Sequence, residues 1–211
     1  MAAIVENLKS QAVTNLDTVP IIINTAGQGA SGRWVVLDDY VSPTSGGLGS
    51  ISSTYRLCRF PTGAVPKQMW LFESTELDTH SLDTLVFDIN IAFSDSTDDG
   101  TPTAVQGNIP TTANTGTWTT VSSYSSPNKF FGSVTPVWNA VYYNDITFNG
   151  SQTTYPMATA FTQPLWQTFG FVDGRSNPVD PGGFFDILVY VSTAATTGAS
   201  GTLGARFTYA I

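Results

Sequence analysis

Residues 85–93 run Leu85, Val86, Phe87, Asp88, Ile89, Asn90, Ile91, Ala92, Phe93, and every odd position holds a large apolar side chain. A helix would scatter these five around its circumference, whereas a strand points them all to one face. The even positions include Asp88 and Asn90, so one face is expected to be buried. Residues 203–211 repeat the pattern with Leu203, Ala205, Phe207, Tyr209 and Ile211. From Phe184 to Val191 apolar side chains occupy both parities, with Asp186 the exception. That predicts a strand covered on both sides, at the centre of a pair of sheets.

Outward from these, weaker strand patterns cover Ile21 to Ile23, Arg33 to Val41, Ser50 to Phe60, Gln68 to Glu73, Lys129 to Val134 and Val137 to Phe148, making eight or nine strands in all. Clusters of Gly, Pro, Ser, Thr and Asn separate them, as in Ser42 to Gly49 and Asp95 to Asn108, and read as turns and surface loops. The expected fold is all-β: a jelly-roll-like β-sandwich with an extended N-terminal arm and one short helix. The helix is expected where Thr162 can cap, Pro164 sits in the first turn, Leu165 and Phe169 are four apart and Gly170 stops it. It should plug one end of the sandwich. A second helical stretch, Ile4 to Leu8, is too short to be stable alone. Residues 1–20 show no strand pattern and are expected to be the arm, ordered by contact with something else. Residues 21–211 form a single domain with elaborated loops around 94–128, where Trp118 and Tyr124 are rare anchors in a Thr, Ser, Gly and Asp background.

Composition narrows the function. Only 11% of the 211 residues are charged, and 16 acids against 8 bases leave a net charge of −8. The average field repels phosphate and anionic headgroups, so neither nucleic acid nor a membrane is an expected partner. Cys58 is the one cysteine, which excludes an internal disulfide and a cysteine zinc cluster and fits synthesis in a reducing cytoplasm. The opening MAAIVENLKS lacks a basic region followed by an apolar one, so no secretion signal is expected.

The motifs that carry chemistry read as structure. Gly27, Gly29 and Gly32 spell GxGxxG, but strand-like Arg33 to Val36 follows where a dinucleotide fold needs a helix. His80, the only histidine, is flanked by Asp78 and Ser81; a triad needs such groups to converge from separate parts of a fold, and no GxSxG elbow is present. One imidazole cannot build a cupin-type metal centre. Asp95, Asp98, Asp99 and Gly100 resemble a calcium loop, with Gln106 where the bidentate glutamate is required; they read as a solvated turn, as do Asp38 and Asp39. No motif selects a carboxylate pair for glycoside hydrolysis. No enzyme, cofactor or metal is expected. Among Trp34, Trp70, Trp118, Trp138 and Trp166, core packing accounts for most, Trp70 lying between Met69 and Leu71 and Trp166 beside Leu165, while Trp118 is the one expected to face outward. Asn149, Gly150 and Ser151 match a glycosylation sequon and read as a turn.

Several segments, in order, resemble the capsid decoration, or cement, proteins of tailed bacteriophages. Lys9, Ser10, Val13, Thr14, Asn15, Asp17 and Pro20 are similar to that family's arm and first strand. Phe60, Pro61, Ala64, Val65 and Pro66 and the Glu76 to Leu82 turn are similar to its middle. Asp88 and Ile89, then Asn128, Lys129, Phe130 and Phe131, follow. The end matches best, through Pro164, Leu165, Trp166, Phe169, Gly170, the Asp186 strand, Ala194, Ala195, Thr196, Gly198 and Gly201, and Ala205, Arg206, Phe207 and Tyr209. The likeness spans roughly half the chain and departs from it around 94–127 and 135–160.

The resemblance implies a structural virion protein on the capsid exterior, made in the host bacterial cytoplasm, that stabilises a lattice of major capsid protein of the tailed-phage shell fold. It implies a homo-oligomer, a trimer rather than a dimer, with Leu8, Lys9, Val13, Thr14, Asn15 and Asp17 as the capsid-contacting arm, removable with residues 1–18 without loss of the fold. The alternative expectation is a glycan-binding β-sandwich on a head fibre or tail, using Trp118 and the Asp95 to Gly100 loop.

Overall fold

The computed structural model describes residues 5–11, 13–14, 33–74, 76–80, 84–94, 130–134, 142–147, 161–168, 177–180 and 184–211. Nine strands occur among them: β1 (Asn7–Lys9), β2 (Trp34–Val41), β3 (Thr54–Pro61), β4 (Val65–Glu73), β5 (Val86–Ser94), β6 (Gly132–Val134), β7 (Tyr142–Asp145), β8 (Phe184–Thr193) and β9 (Leu203–Ala210). They form two sheets, ordered β1-β3-β8-β5-β6 and β2-β9-β4-β7. The antiparallel pairing is nested: β2 with β9, β3 with β8, β4 with β7 and β5 with β6. The chain thus runs out and returns as one long hairpin. Lateral pairing of β9 with β4 and of β8 with β5 rolls that hairpin into two four-stranded sheets, which is a jelly roll. β1 adds a fifth, parallel strand beside β3.

The alternation sets the inner faces. Phe87, Ile89 and Ile91 of β5, Phe185, Ile187, Val189 and Val191 of β8, and Tyr55, Leu57 and Phe60 of β3 meet Met69 and Leu71 of β4 and Leu203, Ala205, Phe207 and Tyr209 of β9 in one core. Phe60 lies with its ring centroid 4.5 Å from that of Phe207, and Phe131 meets Phe207 edge-on at 6.2 Å. Each such buried ring contributes about 2–3 kcal/mol.

β8 lies inside its sheet, between β3 and β5, as its two-sided apolar pattern predicts. Other boundaries shift. β4 begins at Val65 despite Pro66, because a register shift between Pro66 and Gln68 absorbs the missing N–H donor. The Ser42 to Gly49 loop contains a helical turn, α1 (Ser45–Leu48), with Thr44 as its cap: the Thr44 hydroxyl accepts from Gly47 N at 3.1 Å. The expected helix is α2 (Leu165–Thr168). Its Leu165 is buried in the core, and Leu165 N donates to Ala64 O at 3.0 Å. Ile21 to Ile23 and the 95–128 loops lie outside the described residues.

Candidate functional site

The N-terminal segment has a strand that its sequence conceals. Asn7, Leu8 and Lys9 pair in register with Thr54, Tyr55 and Arg56; the reading of 1–20 as strandless, with a helical alternative at Ile4 to Leu8, is corrected here. Three residues are too few for period 2 to register, and the pairing is decided by the edge of β3. Glu6 clamps the entry: its O accepts from Thr54 N at 2.8 Å, its N donates to Ser53 Oγ at 2.9 Å, and its carboxylate accepts from Thr44 N at 3.0 Å and the Tyr55 hydroxyl at 3.3 Å. Burial, and then the Glu6 carboxylate, push the Tyr55 phenol well above its ordinary pKa.

Beyond β1, Ser10 N donates to Arg56 O at 2.9 Å and Thr14 N returns to Ser10 O at 2.9 Å. The Ser10 hydroxyl donates to the Asp39 carboxylate and accepts from Val13 N. Val13 is fully buried, and its O accepts from Arg59 Nη1 at 3.5 Å. Leu8 packs against the core. Leu8, Lys9, Val13 and Thr14 are therefore gathered along the sandwich edge; Asn15 and Asp17 lie outside the described residues. Removing 1–18 would strip Ser10 and Val13 from buried positions, so that deletion is expected to weaken the fold.

The outer face of the five-stranded sheet is polar and buried. The register of β3 shifts between Leu57 and Phe60, with Cys58 at φ 50°, so Cys58 and Arg59 together span one position of the partner. That bulge returns Phe60 to the core and turns Arg59 to the same side as Arg56. Both guanidinium groups then reach Asp186: Arg59 Nε to Oδ1 at 2.7 Å, Arg59 Nη2 to Oδ2 at 2.9 Å and Arg56 Nη1 to Oδ2 at 3.3 Å. Beside them Asp88 accepts from Ser133 Oγ at 2.7 Å, and Asn90 Oδ1 from Phe130 N at 3.2 Å. Asp39 accepts from Cys58 N and Tyr40 N at 2.9 and 3.0 Å. Burial raises the Asp39 pKa against the pull of the Ser10, Cys58 and Tyr40 hydrogen bonds, and the nearby Asp186 charge raises it further. Burial, with Asp39 beside it, also holds the Cys58 thiol well above its usual value.

Asp78 is a second structural hub. It accepts from His80 N at 3.2 Å, Thr84 N at 2.8 Å, Leu85 N at 3.1 Å and Thr197 N at 3.2 Å, and from the Thr84 hydroxyl at 3.1 Å. Burial raises its pKa, but the backbone donors outweigh burial and the net shift is downward. His80 meets Asp78 through its backbone, and Ser81 lies outside the described residues. Among the described residues no three His, Cys, Asp or Glu side chains are grouped to hold a metal ion.

The outer face of the four-stranded sheet differs along its edge strand β2, although Thr208 and Ala210 of the neighbouring β9 are buried. Trp34, Val36 and Tyr40 project from β2 at 61%, 55% and 63% exposure. Between them Asp38 accepts from Arg206 Nε at 2.6 Å and Nη2 at 2.9 Å, and this pairing lowers its pKa. The reading of Asp38 and Asp39 as a turn is corrected: both are mid-strand, on opposite faces of β2. Trp70 is corrected too, since its neighbours Met69 and Leu71 point into the core and strand alternation sends Trp70 outward, where it is half-buried. Trp118, the calcium-like loop, the GxGxxG glycines and the sequon lie outside the described residues.

No family model matches the chain, and no curated protein matches it. Among solved structures it is similar to the capsid of Ralstonia phage GP4, with 16% identity and a TM-score of 0.47 over 86% of this chain and 86% of that one. It is also similar to the Cyanophage Pam1 capsid asymmetric unit, with 18% identity and a TM-score of 0.39 over 88% and 89% of the two chains. At TM-scores this low neither likeness carries an inference about the family or function of this chain.

Proposed function

We propose that this chain is a structural virion protein of a bacteriophage, a cement protein that binds the outer surface of the capsid and stabilises the lattice of major capsid protein. One observation supports a contact role over a catalytic one. Among the described residues three acids are engaged in structural bonds, Asp186 with Arg56 and Arg59, Asp78 with backbone N–H groups and Asp38 with Arg206, while large apolar side chains stand in water on β2. A jelly roll of this kind serves as a rigid block, and the fold recurs in capsid and lectin domains. The choice of a phage shell as the target comes from the sequence resemblance.

Residues 1–20 are proposed as the shell-contacting segment, through Leu8, Lys9, Thr14, Asn15 and Asp17, with Val13 acting from inside by holding the segment on the sandwich. A homo-oligomer, the trimer of the resemblance, would repeat that contact. An interface of about 800 Å² per partner is of ordinary size, and linking several raises avidity by about 10²–10⁴.

The test is the copy number in purified virions, by mass spectrometry against the major capsid protein, followed by rebinding of the purified chain to undecorated shells. A ratio near one to one, or a simple fraction of it, is expected. Lys9→Glu with Thr14→Arg, which leaves Ser10 and Val13 in place, is expected to lower occupancy of the shell. A handful of copies per particle would replace the cement role with the fibre or tail glycan module, for which exposed Trp34 and Tyr40 supply stacking faces.

A further inference from the structure

The turn α1 reads Ser45, Gly46, Gly47, Leu48. Four residues are too few to hold a helix in water, and glycine is the poorest helix former after proline. Its order is therefore borrowed from what packs on it. From one side comes the N-terminal strand. The Glu6 carboxylate accepts from Thr44 N at 3.0 Å and fills the place of a side chain on Gly47, where a Cβ would stand 2.1 Å from Glu6 Oε2. From the other side comes the stretch 194–201, between β8 and β9. Ala195 N donates to Leu48 O at 2.9 Å, Gly201 N to Pro43 O at 3.3 Å, and Ser45 N to Ser200 Oγ at 3.2 Å. Gly198 closes on the turn so tightly that a Cβ there would come within 2.7 Å of Ser45 O. The same stretch reaches the Asp78 turn, with Ala199 N donating to Leu77 O at 3.0 Å and Thr197 N to Asp78 Oδ1 at 3.2 Å.

We propose that α1 is a relay: release of β1 from β3 loosens α1, and through it the stretch 194–201 and the Asp78 turn. Whatever draws the N-terminal segment away from the sandwich then changes the loops at this end of it. Local opening supplies the link. A segment ordered only by its two neighbours passes the loss of one to the other, with no movement of either sheet. Leu48 is the residue of the turn whose side chain is anchored in the core, so loosening is greatest ahead of it, at Pro43 O and Ser45, where Gly201 and Ser200 are held. The relay is a property of the free chain and stands or falls apart from the capsid reading.

The experiment is amide hydrogen exchange on the purified full-length chain, read residue by residue by NMR. Glu6→Ala is expected to speed exchange at Ala199 and Gly201 by at least about fivefold, with the β4 and β5 amides unchanged. Adding Gly46→Ala strengthens α1 without restoring Glu6, and is expected to return those two amides toward their wild-type rates. Coupling is reciprocal. Gly198→Ala, which pushes on Ser45 O from the other side, is therefore expected to speed exchange at Thr54, whose N–H donates to Glu6 O at 2.8 Å. Exchange that rises only within residues 5–11 and 44–47 in Glu6→Ala, or a Thr54 amide indifferent to Gly198→Ala, overturns the relay. So does an equal rise through β4 and β5, which would mean overall unfolding, or a double variant that exchanges as fast as Glu6→Ala.

Discussion

The two sheets treat their outer faces in opposite ways. On the five-stranded sheet the outer face carries Arg56, Arg59, Asp88, Asn90 and Asp186, all buried; on the four-stranded sheet it carries Trp34, Val36 and Tyr40, all exposed. Hydrophobicity alone would exchange them. Charge can be buried on the first face because each group meets partners of fixed geometry, a forked guanidinium on a carboxylate and a serine on an aspartate. Apolar surface can stay in water on the second because the inter-sheet core already supplies the stability. The first face is thus committed to the fold, while on the second the outward side chains of β2 stay exposed.

Four changes test that contrast. The largest effect is expected from Asp186→Ala, which leaves two guanidinium groups buried without their shared counter-charge, at a cost of about 3–5 kcal/mol in chemical denaturation. If the variant is as stable as wild type, the polar face is not a structural element. Next is Asp78→Ala, at about 3 kcal/mol, since it strands several backbone donors in the β5 and β9 approaches. Because its folded pKa is depressed, the contribution of Asp78 is complete above the unfolded carboxylate value of about 3.9 and is lost as pH falls through the folded pKa. The gap between wild type and Asp78→Asn should therefore narrow in acid. Asp39 has the reverse sign: its raised pKa weakens the fold at neutral pH, and that penalty is relieved as pH falls through the raised value.

Gly204→Ala is expected to cost about 1–2 kcal/mol, because the Phe72 ring must move, though it moves on the sheet surface and not in the core. The smallest change is expected from Trp34→Ser with Val36→Thr, within about 0.5 kcal/mol in thermal melts of dilute, unassociated chain. A large loss there would show that the apolar face holds up the isolated fold, and the contrast between the two faces would fail.

The inner faces were legible because alternation at Leu85 to Phe93 and Leu203 to Ile211 extends over five repeats, enough to be unambiguous. The outer faces were not. Arg56 and Arg59 are three apart and read as opposite faces until the Cys58 bulge unites them, and a bulge at a non-glycine residue leaves no local mark. The available signal was of another kind: charges of opposite sign interrupting two otherwise apolar stretches, Arg56 and Arg59 in one and Asp186 in the other. Trp70 could have been placed outward by applying the same alternation to Met69 and Leu71. β1 was hidden because a three-residue parallel pairing is specified by Glu6, Ser10 and Val13 finding partners far along the chain. Residues proposed to act through surface contact, such as Asn15 and Asp17, bear no periodic signature.

Nested pairing has a consequence for timing. β2 pairs with β9, Val41 against Leu203 and Trp34 against Ala210, and β9 sits between β2 and β4. On the ribosome, neither sheet can close until β8 and β9 have emerged, and the apolar rows of β3, β4 and β5 wait uncovered for most of translation. High relative contact order of this kind makes folding slow and aggregation-exposed. Chaperone dependence during synthesis, and refolding in the millisecond-to-second range or slower, follow from the topology before any partner is met.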